Sequence, residues 1–290
     1  MMKRILATLI ALILLTGTAH AATKVVVSIV PQQYFVEQIG GDLVDVSVMV
    51  QPGASPASYE PKPRQMAELS RAQLYFSIGV PFERAWLQRM KSASPQSTFI
   101  AMDAGVDKRP MARHHHHEEV HVENGKHHGI PDPHIWTAPP IVRQMAASVL
   151  KGLIEADPEN EAAYRKNHGS FVHEINKLDG DLRALFAQSN QKRFMVYHPS
   201  WGYFAQTYGL TQIPIELEGK EPGPKELGEL IQHAKKENIR VVFVQPQFSD
   251  RSAELIAKAI QGQVIKADPL AYDWEQNLRD VAQAFQKALR

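Results

Sequence analysis

The chain has 290 residues, with 32 Lys plus Arg against 31 Asp plus Glu, 13 His and no Cys. That length, with 44% apolar and 22% charged residues, fits one large or two modest folded domains and not a disordered chain. A formal charge of +1 offers no concentrated basic surface for nucleic acid. The lack of Cys removes disulfide scaffolds, thiolate nucleophiles, Cys-type zinc sites and iron–sulfur clusters together.

Residues 1–21 read as a signal peptide. Lys3 and Arg4 precede an apolar run from Ile5 to Leu15, and small residues end in Ala19-His20-Ala21. The run is shorter than the ~20 residues that span a bilayer, so cleavage near Ala21 and release into an oxidising, extracytoplasmic space are expected. Loss of Lys3 and Arg4 takes the formal charge from +1 to −1.

From residue 22 the pattern alternates strand with helix. Lys24–Val30 is a continuous β-branched run, Gln32–Gly40 has helical spacing, and Val44–Val50 is a second strand. Helices over Pro63–Ala72 and Glu83–Met90 then flank strands at Leu74–Ile78 and Phe99–Met102. Pro139-Pro140 opens a helix to about Glu155, with proline in the first turn where a missing N–H costs nothing. A longer helix follows Asp157-Pro158, its apolar face marked by Tyr164, Phe171, Ile175, Leu178, Leu182 and Leu185.

The alternation resumes with strands predicted at Arg193–Tyr197, Gln212–Glu216, Arg240–Gln245 and Gly262–Ala267. Helices lie between and after them, at Trp201–Tyr208, Lys225–Asn238, Ser252–Ile260 and Tyr272–Leu289. The fold class is therefore α/β, two (β/α)4-type lobes with mostly parallel sheets joined by one long rigid helix. The expected boundaries are an N-terminal lobe at 22–157 with a His-rich loop at 112–130, a connecting helix at 158–188, and a C-terminal lobe at 189–290.

Seven histidines, His114, His115, His116, His117, His121, His127 and His128, crowd one stretch together with Glu118, Glu119 and Glu123. No aliphatic periodicity interrupts them, so a surface loop is expected, and imidazoles at this density bind Zn, Cu or Ni in several alternative ways. His168, His173 and His233 fall on predicted helices among charged residues and read as surface. His134 sits in Asp132-Pro-His-Ile-Trp136. His198 and Asp268 each directly follow a predicted strand, where open α/β sheets place ligands. Taken singly, each of the three reads more readily as a capping or core-edge residue than as a ligand.

Six short blocks, read in order, give the pattern a family. They are Val50-Gln-Pro-Gly-Ala-Ser-Pro56 with Tyr59-Glu-Pro-Lys-Pro63; Asp132–Trp136; Tyr197-His198 with Tyr203-Phe-Ala and Tyr208-Gly-Leu210; Glu218-Gly-Lys-Glu-Pro222; Gln245-Pro-Gln-Phe-Ser249; and Ala267-Asp-Pro-Leu270. With the leader and the His-rich loop, the chain resembles the ZnuA/TroA-like solute-binding family, the periplasmic metal-binding proteins of ABC transporters for zinc and manganese. The resemblance implies capture of a divalent metal in the cleft between the lobes and its transfer to an ABC permease in the membrane.

It also implies a ligand set of His134, His198 and Asp268. The family's first ligand, a His directly after the Pro of the Pro-Gly-x-x-Pro block, falls here on Ala57, which cannot ligate. Glu60, water or a histidine of the His-rich loop are the substitutes, with Glu60 the leading one. Zinc is favoured over manganese, because the loop is imidazole-rich and manganese prefers harder carboxylate sites. The chain is expected to act as a monomer.

Two other readings remain at this point. A metal-buffering or adhesion protein could use the same scaffold. A zinc hydrolase would share the shell of two His and one carboxylate, but the chain has no HExxH helix, GxSxG elbow or Gly-rich phosphate loop. Glu60 is the sole general base the sequence suggests, so a non-enzyme is expected.

Overall fold

The structure, a computed structural model, describes residues 21–112, 130–187, 189, 191–216 and 219–289. The leader up to His20 and the seven clustered histidines lie outside the described residues.

The first lobe holds β1 (Thr23–Val27), α1 (Val30–Gly40), β2 (Val44–Val48), α2 (Pro63–Leu69), β3 (Leu74–Ser77), α3 (Pro81–Ala93) and β4 (Thr98–Ala101). Its four strands pair in parallel in the order β2-β1-β3-β4. Then come α4 (Pro139–Ala156) and, after a single 3-10 turn at Pro158–Asn160, the long helix α5 (Glu161–Ala187). The second lobe repeats the plan with β5 (Arg193–Val196), α6 (Gly202–Thr207), β6 (Thr211–Pro214), α7 (Pro224–Lys236), β7 (Val241–Val244), α8 (Arg251–Ala259), β8 (Gln263–Lys266) and α9 (Trp274–Ala288). Its parallel order is β6-β5-β7-β8.

Most boundaries shift by one to three residues from the expectation, and two of the shifts have a clear local reason. The first strand stops at Val27 instead of Val30. There Gln32 Oε1 accepts from the backbone N–H of Ser28 (3.0 Å) and Ile29 (3.1 Å), satisfying free donors and turning the chain into α1. Pro31 therefore sits in the first turn of a helix, as Pro63, Pro81, Pro139 and Pro224 do. The connecting helix starts at Glu161, because the Asp157-Pro158 corner is spent on a tight turn in which Tyr164 and Asn160 both donate to Asp157 Oδ2. At 27 residues it is about 40 Å long.

The buried face of α5 (Tyr164, Phe171, Ile175, Leu178, Leu182, Phe186) belongs to a core that runs through both lobes without a break. The pleat divides the second sheet. Phe194, Val196, Val241 and Phe243 join that shared core, while Met195, Tyr197, Val242 and Val244 pack into a separate cluster beneath α7 and α8. Phe285 of α9 is the hub of the shared side, with ring centroids 4.3 Å from Phe194, 4.3 Å from Phe243 and 5.6 Å from Trp201. Phe285→Ala is expected to destabilise the protein by about 3–5 kcal/mol, read as a lower urea midpoint with an unchanged slope.

Hydrogen bonds stitch the lobes together above that core. Trp136 Nε1 donates to the Pro269 carbonyl (2.7 Å), and Trp274 Nε1 donates to the Trp136 carbonyl (2.7 Å). No helix among the described residues is long and apolar enough to cross a membrane.

Candidate metal centre

Both sheets aim the carboxyl ends of their strands at one interlobe cavity of about 80 Å³. Its walls are mostly apolar and include Ala57, Val80, Met111, Trp136, Phe248 and Leu270, with His134 and His198 as its two imidazoles.

His134 is presented by the turn that precedes α4, and Asp132 builds that turn. Its Oδ1 accepts from the His134 backbone N–H (3.0 Å) and from His134 Nδ1 (2.8 Å), and the carboxylate is fully buried. His198 stands two residues beyond β5. Its Nδ1 meets Glu216 Oε1 at 2.7 Å, and Glu216 stands two residues beyond β6. That contact follows from sheet register: β5 and β6 pair Val196 with Pro214, and continuing the pairing by two residues sets 198 beside 216. Gln245 clamps the same corner, accepting from the His198 N–H and donating to the His198 carbonyl (2.6 Å). Phe248 stacks on the His198 ring at 4.8 Å, and Trp136 lies 5.2 Å from the His134 ring.

A carboxylate only accepts hydrogen bonds, so each Nδ1 carries its ring's proton and each Nε2 is left with a lone pair. The two Nε2 atoms face each other across the cleft at 3.2 Å. Two lone pairs do not rest at that distance without a proton or a cation between them. With Zn–N bonds of about 2.0–2.1 Å, two ligands on a tetrahedral ion stand about 3.3 Å apart. The carboxylate–imidazole pairs on either side are the usual orienting partners of metal-binding histidines.

The other expected site residues are placed differently. Asp268, two residues beyond β8, lines an adjoining cavity of about 190 Å³. Gln247 and Leu270 form the partition between the two cavities. Asp268 Oδ1 accepts from Gln247 Nε2 (2.9 Å) and from the Leu270 N–H (2.9 Å). Among the described residues, no three His, Cys, Asp or Glu side chains converge closely enough to hold a metal ion. Ala57 lines the cavity, whereas Glu60 is exposed and takes no part in its walls. The reason is local. Tyr59 turns inward, its hydroxyl on Gln65 Oε1 (2.7 Å) and its ring against Phe82, and Glu60 follows it on the outer side. His173 is exposed, and His168 and His233 are half-buried on α5 and α7, away from the cleft.

Asp132, Glu216, Gln245, Gln247 and Phe248 were not assigned functional roles from the sequence. The Asp-Pro-His spacing carried a readable signal for Asp132, an acid two residues before an imidazole. Glu216 carried none without the register of the sheet.

Burial lowers the pKa of His134 below the ordinary histidine value of 6.5, outweighing the upward pull of Asp132. The unfolded chain therefore binds the proton more readily than the folded one between that lowered value and 6.5. Through this group the folded state loses stability as pH falls through that window and regains it as pH rises. The same shift keeps His134 unprotonated on mild acidification. Zinc affinity of the cleft is expected to hold from pH 8 to about 6.5 and to weaken only further down, measured by competition with a chromophoric chelator.

Two parallel α/β lobes on one long helix, with imidazoles opposed across the cleft, define a metal-binding solute-binding protein of a transporter. A family model for the periplasmic zinc-uptake complex component A, ZnuA, matches residues 25–288, and the chain belongs to that family. It is 27% identical over 240 residues to the high-affinity zinc uptake system protein ZnuA of Bacillus subtilis (strain 168), covering 81% of this chain and 75% of that one. It spans about half the length (49%) of the zinc-binding protein AdcA of Streptococcus pyogenes serotype M3, with 27% identity over 253 residues and 83% of this chain covered. Among solved structures, a crystal structure of ZnuA shares 43% identity with a TM-score of 0.86, covering 93% of this chain and 100% of that one. A ZnuA deletion mutant with zinc bound shares 42% identity with a TM-score of 0.84, covering 92% and 98%.

Proposed function

We propose that this protein captures zinc, in preference to manganese, in the interlobe cleft and hands it to an ABC permease after export to the periplasm. The observation that carries the reading is the opposed pair of Nε2 atoms, 3.2 Å apart, each ring held by a buried carboxylate behind it. His134 and His198 supply the nitrogen ligands. Asp268 supplies the carboxylate once it leaves Gln247. Water takes the position opposite Ala57, because the methyl group leaves space and Glu60 faces outward. The His-rich stretch at 112–130 gathers dilute metal for the cleft.

No chemistry on a substrate is required for this role, and the sole candidate base, Glu60, is exposed outside the cavity. Zinc is favoured on donor chemistry, since two imidazoles among apolar walls suit it better than manganese. The test is twofold. Zinc at 100 times its Kd is expected to stabilise the protein by about 2.7 kcal/mol, seen as a higher Tm, with manganese at that concentration giving far less. Cells lacking the protein are expected to stop growing under zinc chelation and to recover with added zinc. Growth unaffected by the deletion would favour the buffering or adhesion reading.

A further inference from the structure

Four side chains converge behind the two imidazoles, on the side away from the cavity. The first is Asp132, already holding His134. Its second oxygen, Oδ2, is buried without a hydrogen-bond donor, and the nearest cation is Arg109, whose Nε stands 3.9 Å away. The same guanidinium donates through Nη1 to the carbonyl of Gly202, in the opposite lobe and four residues beyond His198. The Arg109 backbone N–H donates to the Tyr203 hydroxyl (3.0 Å), and that hydroxyl donates to the Asp132 carbonyl (3.1 Å). Gln212 completes the group, accepting from the Trp201 N–H (3.0 Å) and donating to the Pro199 carbonyl (3.1 Å), which fixes the turn after His198.

Gly202 is where this arrangement leaves its mark on the sequence. A Cβ there would lie 2.9 Å from Arg109 Nη1, 2.9 Å from Asp132 Oδ2 and 2.9 Å from Gln212 Nε2. A side chain here would have to displace Arg109, Asp132 or Gln212. Arg109 is itself anchored at the base of a two-stranded stem. The Asp132 N–H donates to the Arg109 carbonyl (2.8 Å) and the Met111 N–H to the Ile130 carbonyl (2.9 Å).

We propose that Arg109 is a positioning residue for the metal site. From behind, it ties the support of His134 to the support of His198 and so sets the spacing of the two Nε2 atoms without touching the metal. The proposal rests on His134 and His198 being the ligands. The guanidinium donates to the Gly202 carbonyl of one lobe while facing the Asp132 carboxylate of the other as an ion pair at 3.9 Å, a spread of charge and donors that a lysine or an apolar side chain does not provide.

The test uses the full chain and zinc or Co(II) alone, with His134→Ala identifying the cleft component among all metal bound. Arg109→Met is expected to weaken zinc at the cleft by about 10- to 100-fold, the range seen when the partner behind a metal ligand is lost. Its Co(II) absorption should shift in position or intensity, a signature that a uniform loss of stability does not produce. Arg109→Lys is expected to fall between wild type and Arg109→Met. Gly202→Ala, displacing the fork from the other side, should reproduce the Met variant's spectrum. Wild-type affinity and spectrum in Arg109→Met overturn the proposal. If that variant does not fold, wild-type behaviour of Arg109→Lys and Gly202→Ala overturns it equally. Unchanged zinc binding in His134→Ala would instead remove the ligand reading beneath it.

Discussion

His198→Ala is expected to abolish tight metal binding in the cleft, lowering its zinc affinity by at least about 100-fold. The two Nε2 atoms act as a pair at 3.2 Å, so removing one leaves a single imidazole in an apolar pocket. The variant also leaves Glu216 buried without its imidazole partner. Some fall in the apo Tm is therefore expected, because an unpaired buried acceptor costs roughly 1–3 kcal/mol. The measurement must separate the cleft from the seven clustered histidines. Counting tight Co(II) equivalents does so: the variant should bind one fewer than wild type and keep the rest. Equal counts would show that His198 holds no metal.

The opposite change should strengthen the site. Ala57 lines the same cavity as the two histidines, so Ala57→His offers a third imidazole there without removing a polar group. If the whole set of ligands on a four-coordinate zinc contributes about 10–16 kcal/mol, one further ligand is worth on the order of 100-fold in affinity. The gain should be larger for zinc than for manganese, because the added donor is a nitrogen. Competition titrations of wild type and variant against a common chelator read both ratios. An unchanged zinc affinity would place position 57 too far from the bound ion to contribute.

Much of this architecture is readable without coordinates, and the reasons are physical. Buried parallel strands such as Val241–Val244 are unbroken β-branched or aromatic runs, and α5 repeats its apolar face along its whole length. Proline at the head of five helices marks their starts, although at Pro31 the same residue reads as the end of a strand until the side chain of Gln32 is seen to close the turn. His134 and His198 stand out because each lies in a short block shared with a known family. Their mutual approach depends on how one lobe sits on the other, which no local pattern encodes.

The residues behind them are harder to read. Glu216 reaches His198 because two parallel strands are in a register offset by 18 residues. Arg109 is separated from Gly202 by 93 positions. The outward placement of Glu60 follows from the inward turn of Tyr59, a tertiary choice that spacing alone does not reveal.

The core shared by the two lobes also bears on when the protein can work. Phe194 and Phe243 lie on strands in the middle of the second sheet, yet they are covered by Phe285, close to the end of the last helix. The strand that leads to His198 therefore lacks its apolar cover until that helix has docked. Trp274, at the start of the same helix, holds the Trp136 turn beside His134. Both halves of the cleft thus depend on a helix that follows both histidines in the chain. A chain stopped before Trp274 would carry both histidines and have no site.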